Sequence, residues 1–151
     1  MYGEKLSEGL ALVSVTDPAS VGVGTVDSDV IDMRVFRRVI WVLAAGVLGA
    51  GSTIQLILYA NTANSASGGT AITGKTLTAT TFSGTADNNT QAIIEVTAEE
   101  VAAALPDARY LYGEITVGTA ASLLCCVALG DAARYCPASD YDLASVSEIV
   151  S

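Results

Sequence analysis

Apolar and polar positions alternate along most of this chain, and the longest apolar run, residues 33–61 (MRVFRRVIWVLAAGVLGAGSTIQLILYAN), is the stretch any fold must accommodate first. Two readings compete over it. A membrane-spanning helix over 39–60 would have about the 20 residues a bilayer requires, with Arg37 and Arg38 at its cytoplasmic end. A β-hairpin instead pairs 36–48 with 52–61 across Gly49-Ala50-Gly51. The hairpin is preferred, because glycines gather where a turn is needed and β-branched or aromatic residues crowd both flanks. In the second flank Ile54, Leu56 and Leu58 face one way while Thr53, Gln55 and Tyr59 face the other, the period of a half-buried strand.

The same pattern organises the rest. Residues 1–19 read as an N-terminal arm or edge strand, with scattered Leu10, Leu12, Val13 and Val15, ending at Asp17-Pro18 because proline cannot donate to a ladder. Asp27, Asp29 and Asp32 form a solvated acidic loop whose spacing matches no calcium-binding loop. Small polar residues at 62–69 predict a loop with a mobile tip; 70–73, broken by Gly74, leads into 75–83, a weakly hydrophobic strand near a sheet edge or with one face on a neighbour. Residues 91–97 put Ala92, Ile94 and Val96 on one face. The one helical segment is 98–105, with Thr97 as N-cap, Glu99 and Glu100 in the first turn, and Pro106 after it. A second hairpin is predicted from 109–118 and 121–129 across Gly118-Thr119-Ala120. It turns Leu111, Ile115 and Val117 inward and Tyr110, Tyr112, Glu114 and Thr116 outward. The strand 121–129 is apolar on both faces, as a covered central strand or one buried by a partner subunit would be.

The predicted fold is an all-β, antiparallel β-sandwich, jelly-roll-like, with one short helix. It divides into an arm or edge strand at 1–19, the sandwich at 20–136 and a C-terminal arm at 137–151. In the arms, Leu10, Leu12, Val13, Leu143, Val146, Ile149 and Val150 are too sparse to complete a core and too apolar for solvated tails, which makes them partner-contact candidates. On the sandwich itself the candidates are Tyr110, Tyr112 and Thr116.

Composition narrows the function. The 151 residues are 51% hydrophobic and only 15% charged, against an average near ~25%, so some surface is expected to be covered by other chains. A net charge of -9 with seven basic residues argues against binding nucleic acid. There is no histidine, no phosphate loop and no zinc-binding motif, so a non-enzymatic protein without cofactor or metal is expected. Cys125, Cys126 and Cys136 lack a ligand framework and read as free thiols of a protein folded in the cytosol, and no signal-peptide pattern opens the sequence.

Residues 27–151 resemble a family of small structural proteins of tailed bacteriophages, encoded near the major capsid protein. The segments VIDMRVFRRVIWVLAAG, QAIIEVTAEEV and ARYLYGEITVGTAAS carry the likeness in order, and RYCPASDYDLASVSEIV is the most specific. The resemblance implies a capsid decoration or cement protein that binds the major capsid protein, stabilises the assembled head and sits on the capsid surface after synthesis in the host cytoplasm. It also implies a trimer at lattice three-fold positions; no membrane partner is expected, because 33–61 reads as a hairpin. Two other functions stay open: a tail or connector protein of the same virion, and a carbohydrate-binding module displayed on the particle. The last is raised because the strand succession is similar to carbohydrate-binding jelly rolls.

Overall fold

Alternating side chains become strands throughout. The computed structural model describes residues 5–135 and 137–150, with the backbone alone at Thr80 and Thr81. Cys136 therefore lies outside the described residues. The strands are β1 (Leu10–Val21), β2 (Gly24–Asp27), β3 (Ile31–Asp32), β4 (Phe36–Ala45), β5 (Thr53–Asn61), β6 (Thr70–Ser83), β7 (Gln91–Thr97), β8 (Tyr110–Gly118) and β9 (Ser122–Ala133). Two short helices, α1 (Leu6–Gly9) and α2 (Ala98–Ala104), and two 3₁₀ turns, Gly84–Asp87 and Ala138–Tyr141, complete them.

The pairing is nested. β1 pairs with β9, β2 with β8, β4 with β7 and β5 with β6, all antiparallel, as if one long hairpin with its tip at 62–69 had been rolled up. Further pairing of β4 with β9 and of β5 with β8 closes the roll into two sheets, ordered β1-β9-β4-β7 and β2-β8-β5-β6, with β3 added on β8. This is a jelly-roll β-sandwich, the predicted class.

The inner faces of the two sheets make one core. Val39, Trp41 and Leu43 of β4 and Leu124, Cys126 and Ala128 of β9 meet Ile54, Leu56 and Leu58 of β5 and Leu111, Ile115 and Val117 of β8. Large rings rest on glycines. A Cβ at Gly113 would stand 3.0 Å from the Trp41 ring, which reaches across the core from the opposite sheet, and one at Gly130 would stand 2.6 Å from Phe36. The indole is 1% exposed, though its Nε1 finds no hydrogen-bond partner among the described residues.

Both predicted hairpins are corrected. β4 and β5 lie in different sheets, as do β8 and β9, so the segments around Gly49-Ala50-Gly51 and Gly118-Thr119-Ala120 are corners that carry the chain across the core. A hairpin and a corner call for the same glycines and the same apolar flanks. They differ in whether the flanks pair with each other or face each other. The corners pack together at one end of the roll: Ser122 Oγ donates to Ser52 Oγ (2.7 Å), Ser52 Oγ to the Gly118 carbonyl (3.1 Å), and the Gly49 N–H to Ser122 Oγ (3.2 Å). The membrane-helix reading of 39–60 fails with the same observation, since the segment is two strands and a corner. Among the described residues no helix is long and apolar enough to cross a membrane.

Local signals elsewhere hold in part, the strand breaks expected at Gly74 and Pro18 being absorbed within longer strands. β6 is an edge strand, continuous through Gly74, whose positive φ of 77° lies at one of its two register shifts. α2 starts with a reciprocal capping box, in which Thr97 Oγ1 accepts from the Glu100 N–H and Glu100 accepts from the Thr97 N–H. β1 lies at the edge of its sheet and does not end at Pro18. A register shift between Thr16 and Ala19 absorbs the proline, and pairing resumes to Val21.

Trp41→Ala is expected to cost about 3 to 5 kcal/mol in urea unfolding, because the void would open at the contact between the sheets. Gly49→Ala is expected to cost about 1 to 3 kcal/mol, since its Cβ would lie 2.5 Å from the Ala121 carbonyl oxygen in the packed corners; a stability within about 0.5 kcal/mol of the parent would show that the corners part freely.

Candidate functional site

The two outer faces of the roll differ in chemistry. On the β1-β9-β4-β7 sheet the pleat turns out Leu12, Leu129 and Ile40 in one cross-strand row, Val15, Val127, Val42 and Ile93 in the next, and Cys125 and Ala44 beyond. Ile93 is 61% and Leu123 45% exposed, and no segment of the described chain lies over them. The apolar surface runs on at the corner end into a shallow pocket lined by Pro18, Ala19, Ala44, Leu123 and Cys125. At the other end it stops at charge, where Arg38 pairs with Asp131 and Glu95 stands beside Ile40.

The outer face of the second sheet is polar. Thr25 lies opposite Thr116, with their hydroxyls 3.4 Å apart, and Asp27 lies opposite Glu114, a like-charge pairing that costs stability. Tyr59 stacks on Tyr112 with ring centroids 5.2 Å apart. Burial, and then the neighbouring Glu114, raise the Tyr59 phenol above its ordinary range. The second ring of the stack is covered. Tyr112 is 3% exposed under the 62–69 loop, whose Gly69 N–H donates to its Oη (3.2 Å).

That loop is tied down from within. Asn61 Nδ2 donates to the carbonyls of Ser65 and Ser67, both at 2.9 Å, and its Oδ1 accepts from the Ala63 N–H. The tether gives a polar stretch with nothing to bury a fixed course.

The candidate residues separate accordingly. Leu12 lies on the apolar sheet face. Val13 does not, because the register shift between Leu12 and Ser14 lets Val13 and Ser14 both turn inward, and Val13 is core. Tyr112, expected to point outward, is covered, so neither residue is available to a partner. Tyr110 sits under the Arg109 guanidinium, 5.0 Å from its carbon to the ring centre, and Thr116 on the polar face. Leu10 is half-buried where α1 meets β1.

The segment from 137 onward is only partly an arm. Ala138 is fully buried, Tyr141 packs edge-on against Phe36, and around Leu12 the chain is held twice: the Leu12 N–H donates to Asp142 and the Leu143 N–H to the Leu12 carbonyl. Beyond Leu143 the burial fades, Val146 being half-buried, Ile149 46% and Val150 88% exposed. α1 packs against the 138–141 turn, so Leu6 and Tyr135, both well exposed, stand at the same end of the roll as the tail.

Among the described residues no cluster of acidic, cysteine or histidine side chains could hold a metal ion. Asp29 instead accepts from the Val15 N–H, and Asp32 holds Arg109 and the Arg34 N–H. Burial pushes the Cys126 thiol up to about 12, which keeps it protonated and unreactive, while Cys125 is half-exposed on the apolar face. Two features had no sequence signal of their own: the Asp32–Arg109 pair, 77 positions apart, and the uncovered face itself, which needs strands from both ends of the chain.

No protein-family model matches the chain, and no curated protein matches it in sequence. Solved structures similar in shape include a chain of infectious bursal disease virus, Gt strain (TM-score 0.49, 13% identity, covering 86% of this chain and 35% of that one). A second is the T13 particle of the same virus (TM-score 0.48, 13%, covering 85% and 32%), and a third is the xylan-binding module CBM15 (TM-score 0.37, 13%, covering 85% and 94%). The chain spans about a third of the length of the virus chains it matches. Likenesses of this degree carry no argument, and the jelly roll stands on its own strand pairing.

The Arg109 guanidinium bonded to Asp32 holds that carboxyl below its ordinary value, with the Arg34 N–H adding to the effect. A lowered folded-state value contributes stability that is complete above the unfolded carboxylate value, near ~4, and is lost as pH falls through the folded one. Asp32→Asn should therefore lower the melting temperature at pH ~7 and flatten its decline from about pH 4 downward. A parallel decline in both proteins would place the acid sensitivity elsewhere.

Proposed function

We propose that this chain is a non-enzymatic structural protein of a virion, a capsid decoration or cement protein that stabilises an assembled head by binding the major capsid protein. The carrying observation is the placing of large apolar side chains on the outside at two separate places. One is the uncovered sheet face, and the other is the end of the roll where Leu6, Tyr135, Ile149 and Val150 stand exposed. A chain with 15% charged residues that turns apolar surface outward at both places is suited to being covered by protein.

Clamping then works by mass action. A protein that binds only the assembled lattice stabilises that state in proportion to the logarithm of its free concentration over its dissociation constant. The folded roll supplies shape and a rigid anchor for the tail, which is held as far as Leu143. Burying Val146, Ile149 and Val150 in preformed pockets would contribute about 1.5 to 3 kcal/mol for each side chain fully buried, before the cost of ordering the tail. The sequence resemblance to phage head proteins falls most specifically on that same segment.

Removing residues 145–151 is expected to leave the melting temperature of the isolated protein within about 2 °C of the parent, because the deleted part lies beyond the Leu12–Leu143 bond. It should strongly reduce retention on purified particles in a pelleting assay. Equal retention by the shortened protein would remove the tail from the capsid contact, and density for the chain on the tail tube or connector in particle images would replace decoration by a tail function.

A further inference from the structure

We propose that two copies of this chain pack face to face through the outer surface of the β1-β9-β4-β7 sheet, about a two-fold axis running along the strands between β4 and β9. This deepens the reading above by naming a second copy as the occupant of the sheet face, and leaves the tail end for the capsid.

The register carries the argument. Across the β4–β9 ladder Arg38 lies opposite Asp131, Ile40 opposite Leu129, Val42 opposite Val127 and Ala44 opposite Cys125. A two-fold axis along these strands exchanges β4 with β9, so each of these side chains meets its own cross-strand neighbour's counterpart on the other copy. Isoleucine then stands over leucine, valine over valine and alanine over cysteine. Arg38 stands over the partner's Asp131, and Asp131 over the partner's Arg38. The two central strands are thus complementary to those of the second copy in size and in sign. Glu95, on the outer strand β7, comes to the partner's β1 at the rim and keeps its carboxylate in water.

Charge also selects this face. Each copy carries -9 and repels another over most of its surface. The opposite outer face sets Asp27 against Glu114 and would bring carboxylates together. Between the row of Ile40 and the corner end, the β1-β9-β4-β7 face bears no charge on its two central strands, β4 and β9.

Size and symmetry fit. Four strands about 4.8 Å apart and three outward rows about 7 Å apart give a plan area on the order of 400 Å². Because the pleated surface exceeds its plan, two such faces would cover on the order of 1,000 to 1,200 Å², the lower end for a specific interface, so the pair should be reversible and form at micromolar concentration. A three-fold ring needs two different complementary patches on each copy. This sheet face supplies one patch that matches itself, which makes a two-fold pair.

Sedimentation velocity on the full chain between about 1 and 200 µM tests it. The expected result is a concentration-dependent dimer. Arg38→Asp and Asp131→Arg should each weaken dimerisation by about tenfold or more, by setting like charges across the axis, and the double exchange should restore it. Within one copy Arg38 is 54% and Asp131 31% exposed, so water screens the pair and it contributes little to stability, and the single variants should stay folded. A monomer throughout the range, a trimer, or single variants that shift the melting temperature but not the dimerisation constant would each overturn the proposal. The purified chain is measured without particles. A dimer that fails to bind particles would overturn the decoration reading alone, and particle binding by a strict monomer would overturn this proposal alone.

Discussion

The indole of Trp41 resting on Gly113 fixes how closely the two sheets approach, and the remaining core is built around that contact. Any side chain at position 113 would stand inside the ring's van der Waals envelope, and any smaller residue at 41 would leave a void between layers packed at near-crystalline density. Phe36 lies over Gly130 of the neighbouring strand in its own sheet, a second ring seated on a glycine. These large-on-small contacts let strands remote in sequence share one interior.

From that constraint the connections follow. Since β4 and β5 both give an apolar face to the core but from opposite sheets, the chain must cross between them, and it must do so again between β8 and β9. The two crossings fall side by side and are locked by Ser52 and Ser122, whose hydroxyls are satisfied within the corner. At the far end α1 packs against the 138–141 turn. The roll therefore has one end closed by tight contacts and another where Leu6, Tyr135, Ile149 and Val150 stand exposed.

The difference between the outer faces gives the molecule a direction. One sheet turns hydroxyls, carboxylates and a half-covered tyrosine stack to solvent; the other turns branched aliphatic side chains outward without a covering element. β9 is the hinge of this asymmetry, because its inner residues Leu124, Cys126 and Ala128 complete the core while Leu123, Cys125, Val127 and Leu129 form the outer surface. An all-apolar strand in the middle of a sheet with only one covered face leaves apolar side chains turned toward water.

The sequence by itself determined the local structure: the strands, through the period of two in segments such as 53–61; the α2 cap, through Thr97 and Glu100; and the all-β class. Each depends on residues within one turn or one strand of each other, where sterics and hydrogen bonding act without help from the rest of the chain. Only the tertiary structure decided that the glycine-rich segments at 49–51 and 118–120 are corners between sheets and not hairpin turns. It also decided that Val13 is core and Tyr112 covered, and that the 137–143 segment belongs to the roll. Those outcomes depend on contacts remote in sequence, 43 positions apart for Gly69 on Tyr112 and more than a hundred for the pairing of β1 with β9. An alternating pattern says that a strand has one buried face, and the partner that buries it is chosen by the packing of the whole roll.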